Sequence, residues 1–544
     1  MRRLRFACAV AAAGASLLPA AVLAAQPAAT PLDGRPPLAP DRTRDPLPDP
    51  ETKPLSLGKV ELGARPDVTI REIRFVGAGV PANVGRAAQR FVGRPASSEN
   101  LAKLAAAMTR AYNRSSVALF TLVIPEQDLS EGVVTVASAE GYVGSVTLSG
   151  ERESGPAPLV AKMASGLVGQ RPLPRSRFER ALGNIADIPG VTVTPTLALG
   201  SEQGAVALDL ALDAKKPTLG LGFTTRTSRF VNDGIVEANA RGSSLLRSGD
   251  ETRLTGAAAL NLKSLLYLAA SHSTPLGAGG TRAELSGAAL RTRPKGIAID
   301  GEAWSAGFAI THPLIRATRR GLIASARIDY LDSKNALFGS TIAAEKTWTA
   351  SGSLAFRLSE DRTVLGARVG GAKGLDFAGA RVDPGVGEVN FAYADASVEA
   401  NQAIGKAFVV RTAATGRWTR DRLPAAQRFS VGGATFGRAF DDGLVNGDRG
   451  YAAFGELALR PLRSGSFAKS EFYGFVDYAD VTLLERPAIP RTGFTLGSWG
   501  GGVRFSYAEN ATIGLEVADA WDQPVRGYDQ DWRVALSWKL SIRP

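Results

Sequence analysis

The chain has 544 residues, with 64 Lys and Arg against 52 Asp and Glu, a formal net charge of +12 at pH 7, 44% hydrophobic residues and 60 glycines. Beyond the N-terminus it contains no run of about 20 uninterrupted apolar residues, which excludes a bundle of membrane-spanning helices. A membrane β-barrel is not excluded, because short alternating strands keep the average hydropathy near zero. The positive charge invites a nucleic-acid reading, but an exported chain rarely meets nucleic acid and no compact basic motif stands out, so no nucleic-acid partner is expected.

The chain opens Met1-Arg2-Arg3-Leu4-Arg5, runs apolar from Phe6 to Leu23 and reaches Ala24-Ala25. A basic start, an apolar middle and small residues before a break predict a secretory signal peptide over residues 1–25. The only cysteine, Cys8, falls inside it, so the mature chain is expected to have no disulfide and no cysteine metal site. Residues 26–66 are dense in proline and charge, which disfavours both helix and sheet and predicts a linker with at most a short helix near Leu55–Leu62.

Two similar modules follow, at 67–141 and 142–215. The first is read as a strand over Val68–Val76, helices over Val84–Val92 and Ser97–Asn113, and strands over Ala118–Ile124 and Gly132–Ala139. Leu101, Leu104, Ala105 and Met108 recur at one face of a helix, with its N-cap near Ser98. The second repeats the order with Val143–Leu148, Leu159–Leu167, Arg175–Ile185, Val191–Leu199 and Ala205–Leu212. The result is a weak internal repeat in β-α-α-β-β order.

From 216 to 544 the texture becomes many short strands separated by Gly, Asp, Asn and Ser. Trp532, Val534, Leu536, Trp538, Leu540 and Ile542 alternate with Arg533, Ala535, Ser537, Lys539, Ser541 and Arg543. A soluble sandwich alternates in the same way. Export and strand-end aromatics favour a membrane barrel, and about 329 residues at roughly 20 per strand and connection predict about 16 strands.

Catalytic chemistry is thinly represented. His272 and His312 have no His or Cys at metal-ligand spacing, and the glycine runs Gly277–Gly280 and Gly500–Gly502 lack the Lys-Ser/Thr and helix of a phosphate loop. No catalytic residue, metal site or cofactor is expected.

Five phrases carry a family resemblance. Pro125-Glu126-Gln127-Asp128-Leu129 matches the P-x-Q-D-L of POTRA modules, small periplasmic domains attached to outer-membrane barrels. Gly437-Arg438-Ala439-Phe440, in the loop Phe429–Leu457, matches an Arg-centred V-R-G-Y/F tetrapeptide. Phe475-Val476-Asp477-Tyr478-Ala479 matches F-x-D-x-G, with Ala439 and Ala479 replacing the usual glycines. Ser273–Gly277 and Thr311–Arg316 match S-x-P-L-G and Y-P-L-I-R strand ends. Residues 67–544 thus resemble the TpsB transporters of two-partner secretion, relatives of the barrel-assembly protein BamA.

The resemblance implies a mixed fold, with two α+β POTRA domains followed by a transmembrane antiparallel β-barrel of about 16 strands (216–544). It places the protein in the outer membrane of a Gram-negative bacterium with its POTRA domains in the periplasm. The implied activity is export of a partner exoprotein that carries an N-terminal secretion domain, without enzymatic chemistry. An insertase-like assembly factor and a passive porin are the alternatives. Outer-membrane lipid and the barrel-assembly machinery are further expected partners. Arg438 is expected to reach into the lumen and pair through its planar guanidinium with Asp477, which shares a strand face with Phe475. A second candidate, Arg449 in Asp448-Arg449-Gly450-Tyr451, is assigned instead to a G-D-R-G phrase that precedes the next strand.

Overall fold

The computed structural model describes residues 59–60 and 65–542, apart from 172, 201, 203, 229–230, 232–233, 297, 338–339, 463, 488, 509 and 525–531. The expected signal peptide and nearly all of the Pro-rich linker lie outside these residues.

The first unit packs helices Ala82–Gln89 and Ser98–Asn113 on a small sheet. Strand Val133–Glu140 lies between Phe120–Ile124, antiparallel to it, and Glu72–Gly77, parallel to it. Lys59–Val60 adds a parallel bridge to the outer edge of Phe120–Ile124. Leu101, Leu104, Met108 and Tyr112 are the buried face of the longer helix, and burial pushes the Tyr112 phenol up to about 12. Three details differ from the sequence reading. Lys59–Val60 is a strand where a linker with at most a short helix near Leu55–Leu62 is expected, because the edge of Phe120–Ile124 offers its backbone groups a partner. The N-cap is Ser97, whose Oγ accepts from the Asn100 N–H at 3.3 Å. The strand expected over 68–76 divides into Arg65–Thr69 and Glu72–Gly77, because Ile70 drops into the core and gives its N–H to Arg94.

The P-x-Q-D-L phrase has a local physical role. Strand Phe120–Ile124 ends before it can cover Thr135, and Gln127 takes its place. The Gln127 side-chain amide accepts from the Thr135 N–H at 2.7 Å and donates to the Thr135 carbonyl at 2.9 Å. Asp128 accepts from the N–H and hydroxyl of Ser130, both at 2.9 Å, and these bonds hold its carboxyl below the usual range. Leu129 enters the core. Gln127→Ala should therefore leave a backbone pair uncovered at a cost of about 1–3 kcal/mol. Hydrogen exchange at the Thr135 amide should accelerate accordingly.

The second unit has helices Ala157–Ser165 and Arg175–Ala186 over a three-stranded sheet in the order 142–150, 205–214, 191–199. Leu208 and Leu210 of the central strand are fully buried against Val160 and Ala164.

Sixteen antiparallel strands between Thr218 and Ile542 close into a barrel, with the two-residue strand Arg381–Val382 attached to one connection. The first strand, Thr218–Thr224, pairs with the last, Arg533–Ile542, from Leu219↔Ile542 to Thr224↔Ser537. Closure pairs the edges, as the absence of water in a bilayer core requires. Strand Glu471–Leu483 shows the face rule: Glu471, Tyr473, Phe475, Asp477, Ala479, Val481 and Leu483 are buried inward, while Phe472 and Val476 face out. Outward aromatics line up across neighbouring strands well inside them rather than at their ends, as Trp304, Tyr330 and Trp348 do in strands Ile299–Arg316, Arg320–Leu337 and Ser340–Glu360, with successive ring centroids 4.8 Å apart, a band of the kind found at a membrane interface.

Candidate functional site

The connection between strands Phe408–Trp418 and Arg449–Leu459 turns into the barrel. It forms a hairpin, Phe429–Val431 against Val445–Gly447, whose tip carries Gly437-Arg438-Ala439-Phe440. Gly437 has φ +75°, a conformation that glycine adopts without penalty. Ala439 and Ala479 have no such φ and are almost wholly buried among Phe440, Val481 and Leu496, so their departure from glycine costs no backbone strain. The tip meets Asp477, six residues below the outer end of its strand, or roughly 20 Å at ~3.4 Å per residue.

Arg438 is fully buried. Its Nη1 donates to Glu456 at 2.9 Å and to Glu516 at 3.3 Å, and its guanidinium lies 4.0 Å from the Phe475 ring centroid, within cation–π range. Asp477 does not pair with that guanidinium. Its Oδ1 accepts from the Gly437 N–H at 2.7 Å and from the Ser498 hydroxyl at 2.6 Å, and its Oδ2 accepts from the Arg438 N–H at 3.3 Å. The two motifs therefore meet, but the expected side-chain pair is replaced by backbone capture. The turn at Gly437 points its N–H groups at strand Glu471–Leu483, and the long arginine side chain reaches past Asp477 to carboxylates on two other strands. Arg449 stands at the start of strand Arg449–Leu459, away from this cluster.

Sequence reasoning missed most of the surrounding charge. Glu456 also accepts from Arg411 at 2.9 Å and from Arg504 at 2.8 and 2.9 Å. Glu471 binds Arg411, Arg504 and Arg460. Glu516 binds Arg226 and accepts from the Tyr473 hydroxyl at 2.8 Å. Arg226 also holds the Arg438 carbonyl at 2.7 Å, while Arg533 in the last strand reaches Asp441 of the loop at 3.0 Å. The loop is thus tied to chain on both sides of the barrel seam. The available signal was a charged residue at an inward position of an alternating strand, as at Glu456, Glu471 and Glu516.

At the periplasmic end, the Thr311–Arg316 phrase grips the second unit. Arg316 engages Asp187 through two bonds of 2.6 and 2.7 Å. Arg180 donates to the Pro313 carbonyl at 2.8 Å and lies 3.3 Å from His312, which contacts Thr281 at 2.8 Å. Pro313, which has no N–H, sits at a β-bulge. A cavity of about 1110 Å³ runs from Leu159, Met163 and Ile188 of the second unit past Arg316 and Arg368 to Phe429 and Phe436 of the loop. Arg180→Ala together with Arg316→Ala should widen the distribution of distances between spin labels on the second unit and the barrel. Exposed pairs contribute little individually, about 0–1 kcal/mol, so folding of the barrel itself should be unchanged.

A family model described as "Haemolysin secretion/activation protein ShlB/FhaC/HecB" matches residues 267–505, and one for the ShlB-type POTRA domain matches residues 68–141. The chain belongs to the TpsB transporters of two-partner secretion. Members of this family export partner exoproteins across the outer membrane, with POTRA domains in the periplasm. Among curated TpsB-like relatives, the heme/hemopexin transporter protein HuxB of Haemophilus influenzae strain KW20 is 21% identical over 468 residues, 81% of each chain. CdiB from Escherichia coli shares the fold with a TM-score of 0.69 and 18% identity, covering 87% of this chain and 90% of that one. BamA from Haemophilus ducreyi lacking POTRA domains 1–3 gives a TM-score of 0.54 at 12% identity, covering 87% of this chain and all of the other.

Proposed function

We propose that this TpsB chain receives an unfolded partner exoprotein in the periplasm and passes it outward through the barrel, with the Arg438 loop as the element that holds the resting lumen. In this reading residues 67–141 and 142–215 are two POTRA domains. The exoprotein's N-terminal secretion domain adds a strand to a free sheet edge. No nucleotide, metal or other cofactor enters, and no catalytic residue is assigned. Lipid surrounds the outward aromatics, and the barrel-assembly machinery serves only biogenesis.

The observation that carries the reading is the position of the loop, drawn deep into the barrel and held there by three strands. A passive porin has no use for such a fastening, since a lumen held this full conducts poorly. The direct test is co-expression with a candidate exoprotein that carries an N-terminal secretion domain, comparing the wild-type chain with one lacking residues 432–444. Release of the exoprotein by the wild type alone supports the proposal. Equal release by both, or steady ion conduction by the reconstituted wild type without any dependence on exoprotein, would sink it.

A further inference from the structure

The G-D-R-G phrase, Gly447-Asp448-Arg449-Gly450, is not used by the Arg438 site, yet its aspartate is wholly buried. The Asp448 carboxylate accepts four hydrogen bonds. Oδ1 takes the Leu423 N–H at 2.7 Å and Arg486 Nη2 at 2.8 Å, and Oδ2 takes the Leu484 N–H at 2.6 Å and Arg486 Nη1 at 3.0 Å. Arg486 is equally committed. It donates to the Leu484 carbonyl at 2.7 Å, the Val386 carbonyl at 3.0 Å and the Leu423 carbonyl at 3.4 Å. The arginine is presented by a tight turn in which Arg486 and Ile489 exchange backbone bonds of 2.8 and 3.0 Å. Arg428 makes a parallel set of bonds to the Leu423 and Val386 carbonyls.

These partners belong to different connections at the outer end of the barrel. Val386 lies in the connection after strand Thr363–Leu375, Leu423 in the one after Phe408–Trp418, and Leu484 and Arg486 in the one after Glu471–Leu483. The glycines explain why the phrase has its form. A Cβ on Gly447 would stand 2.5 Å from Val481 Cγ1 and 2.6 Å from the Thr482 carbonyl, and one on Gly450 would stand 2.5 Å from the Asp480 carbonyl. Both glycines let Asp448 lie flush against strand Glu471–Leu483, where its own N–H bonds to Thr482 at 2.9 Å. Asp448 thus sits about five residues, roughly 17 Å, outward of Asp477.

We infer that Asp448 and Arg486 form a second, outer fastening, which draws three extracellular connections together over the barrel mouth and must part for the exported chain to leave. They are positioning residues. The inference rests on the export reading above, but the outer fastening can be tested without it. A carboxylate and a guanidinium with every strong hydrogen-bonding group engaged give a geometry that is well defined when closed and costly to open halfway.

The test uses the full chain with Asp448→Cys and Arg486→Cys combined; the natural Cys8 lies in the expected signal peptide. In planar bilayers the open double variant should show basal conductance at least about tenfold above wild type. A reversible dithiol-reactive bridge between the two cysteines should return it to the wild-type level and stop exoprotein release in cells, and reductant should reverse both effects. A variant that merely unfolds loses the heat-modifiable gel mobility of a folded barrel. In that case Asp448→Asn, which keeps shape but loses charge, should raise conductance in its place. Export at the wild-type rate with the bridge closed overturns the outer fastening. So does unchanged conductance in a folded open variant. If the wild-type chain itself releases no exoprotein, the export reading falls, and the conductance measurements still decide whether the fastening exists.

Discussion

Alanine at Arg438 is expected to reduce exoprotein release by at least about a hundredfold, whereas asparagine at Asp477 should reduce it by less than about tenfold. Removing one member of a buried hydrogen-bonded ion pair costs about 3–5 kcal/mol, since the partners left behind are charged and dry. Arg438 bridges Glu456 and Glu516 from a fully buried position, so its loss releases the loop tip and leaves both glutamates undercompensated. Asp477 has a different task, which is to accept backbone N–H groups of Gly437 and Arg438. An asparagine oxygen still accepts one of them, and the Ser498 hydroxyl can turn to accept from the new amide. A few lost or weakened bonds cost about 1–3 kcal/mol. The measurement is release of the partner exoprotein with each variant at equal barrel abundance. A sharper version is the charge swap Arg438→Asp with Asp477→Arg, which should fail to restore export. Recovery by the swap would show that the two side chains pair directly and that the backbone capture described above is not what matters.

The second large effect should appear at Glu456, the carboxylate shared by Arg438, Arg411 and Arg504. Glu456→Gln removes the charge that lets three guanidinium groups converge in a buried space, and only Glu471 and Glu516 remain to balance them. The expected loss is about 3–5 kcal/mol, read as a lower urea midpoint for the change in heat-modifiable gel mobility. Adding Arg411→Gln to Glu456→Gln should recover part of that loss, because the two residues touch and their effects couple. Strictly additive losses would mean that the network is not a unit. Arg460→Ala should be mild by comparison, as Glu471 keeps both Arg411 and Arg504.

Most of the architecture was legible from the chain alone. Apolar residues at Leu101, Leu104 and Met108 demand one buried helical face, and the same logic sets Trp532–Ile542 as a two-faced strand. Side chains point alternately to opposite faces, so local pattern is enough to name the inward set once one face is known. That is why Phe475 and Asp477 could be placed together on the lumen side before any coordinates. The division at Ile70 and the cap at Ser97 were not legible, since both depend on which distant backbone groups need partners.

The loop that bears Arg438 shows where sequence stopped and tertiary structure took over. Its phrase, its glycines and its place between two strands are local properties, and through the family resemblance they carried the expectation that an arginine reaches into the barrel. Which carboxylate receives it is not local. Glu456 and Glu516 lie 18 and 78 residues away, and they meet at Arg438 only because barrel closure and strand register bring three inward faces to one height. A guanidinium is long and a backbone N–H is not, so the same turn hands its N–H groups to Asp477 and sends its charge elsewhere. Asp448 follows the same rule: the sequence shows a polar phrase beside a strand, but only the folded mouth reveals the three connections that it holds.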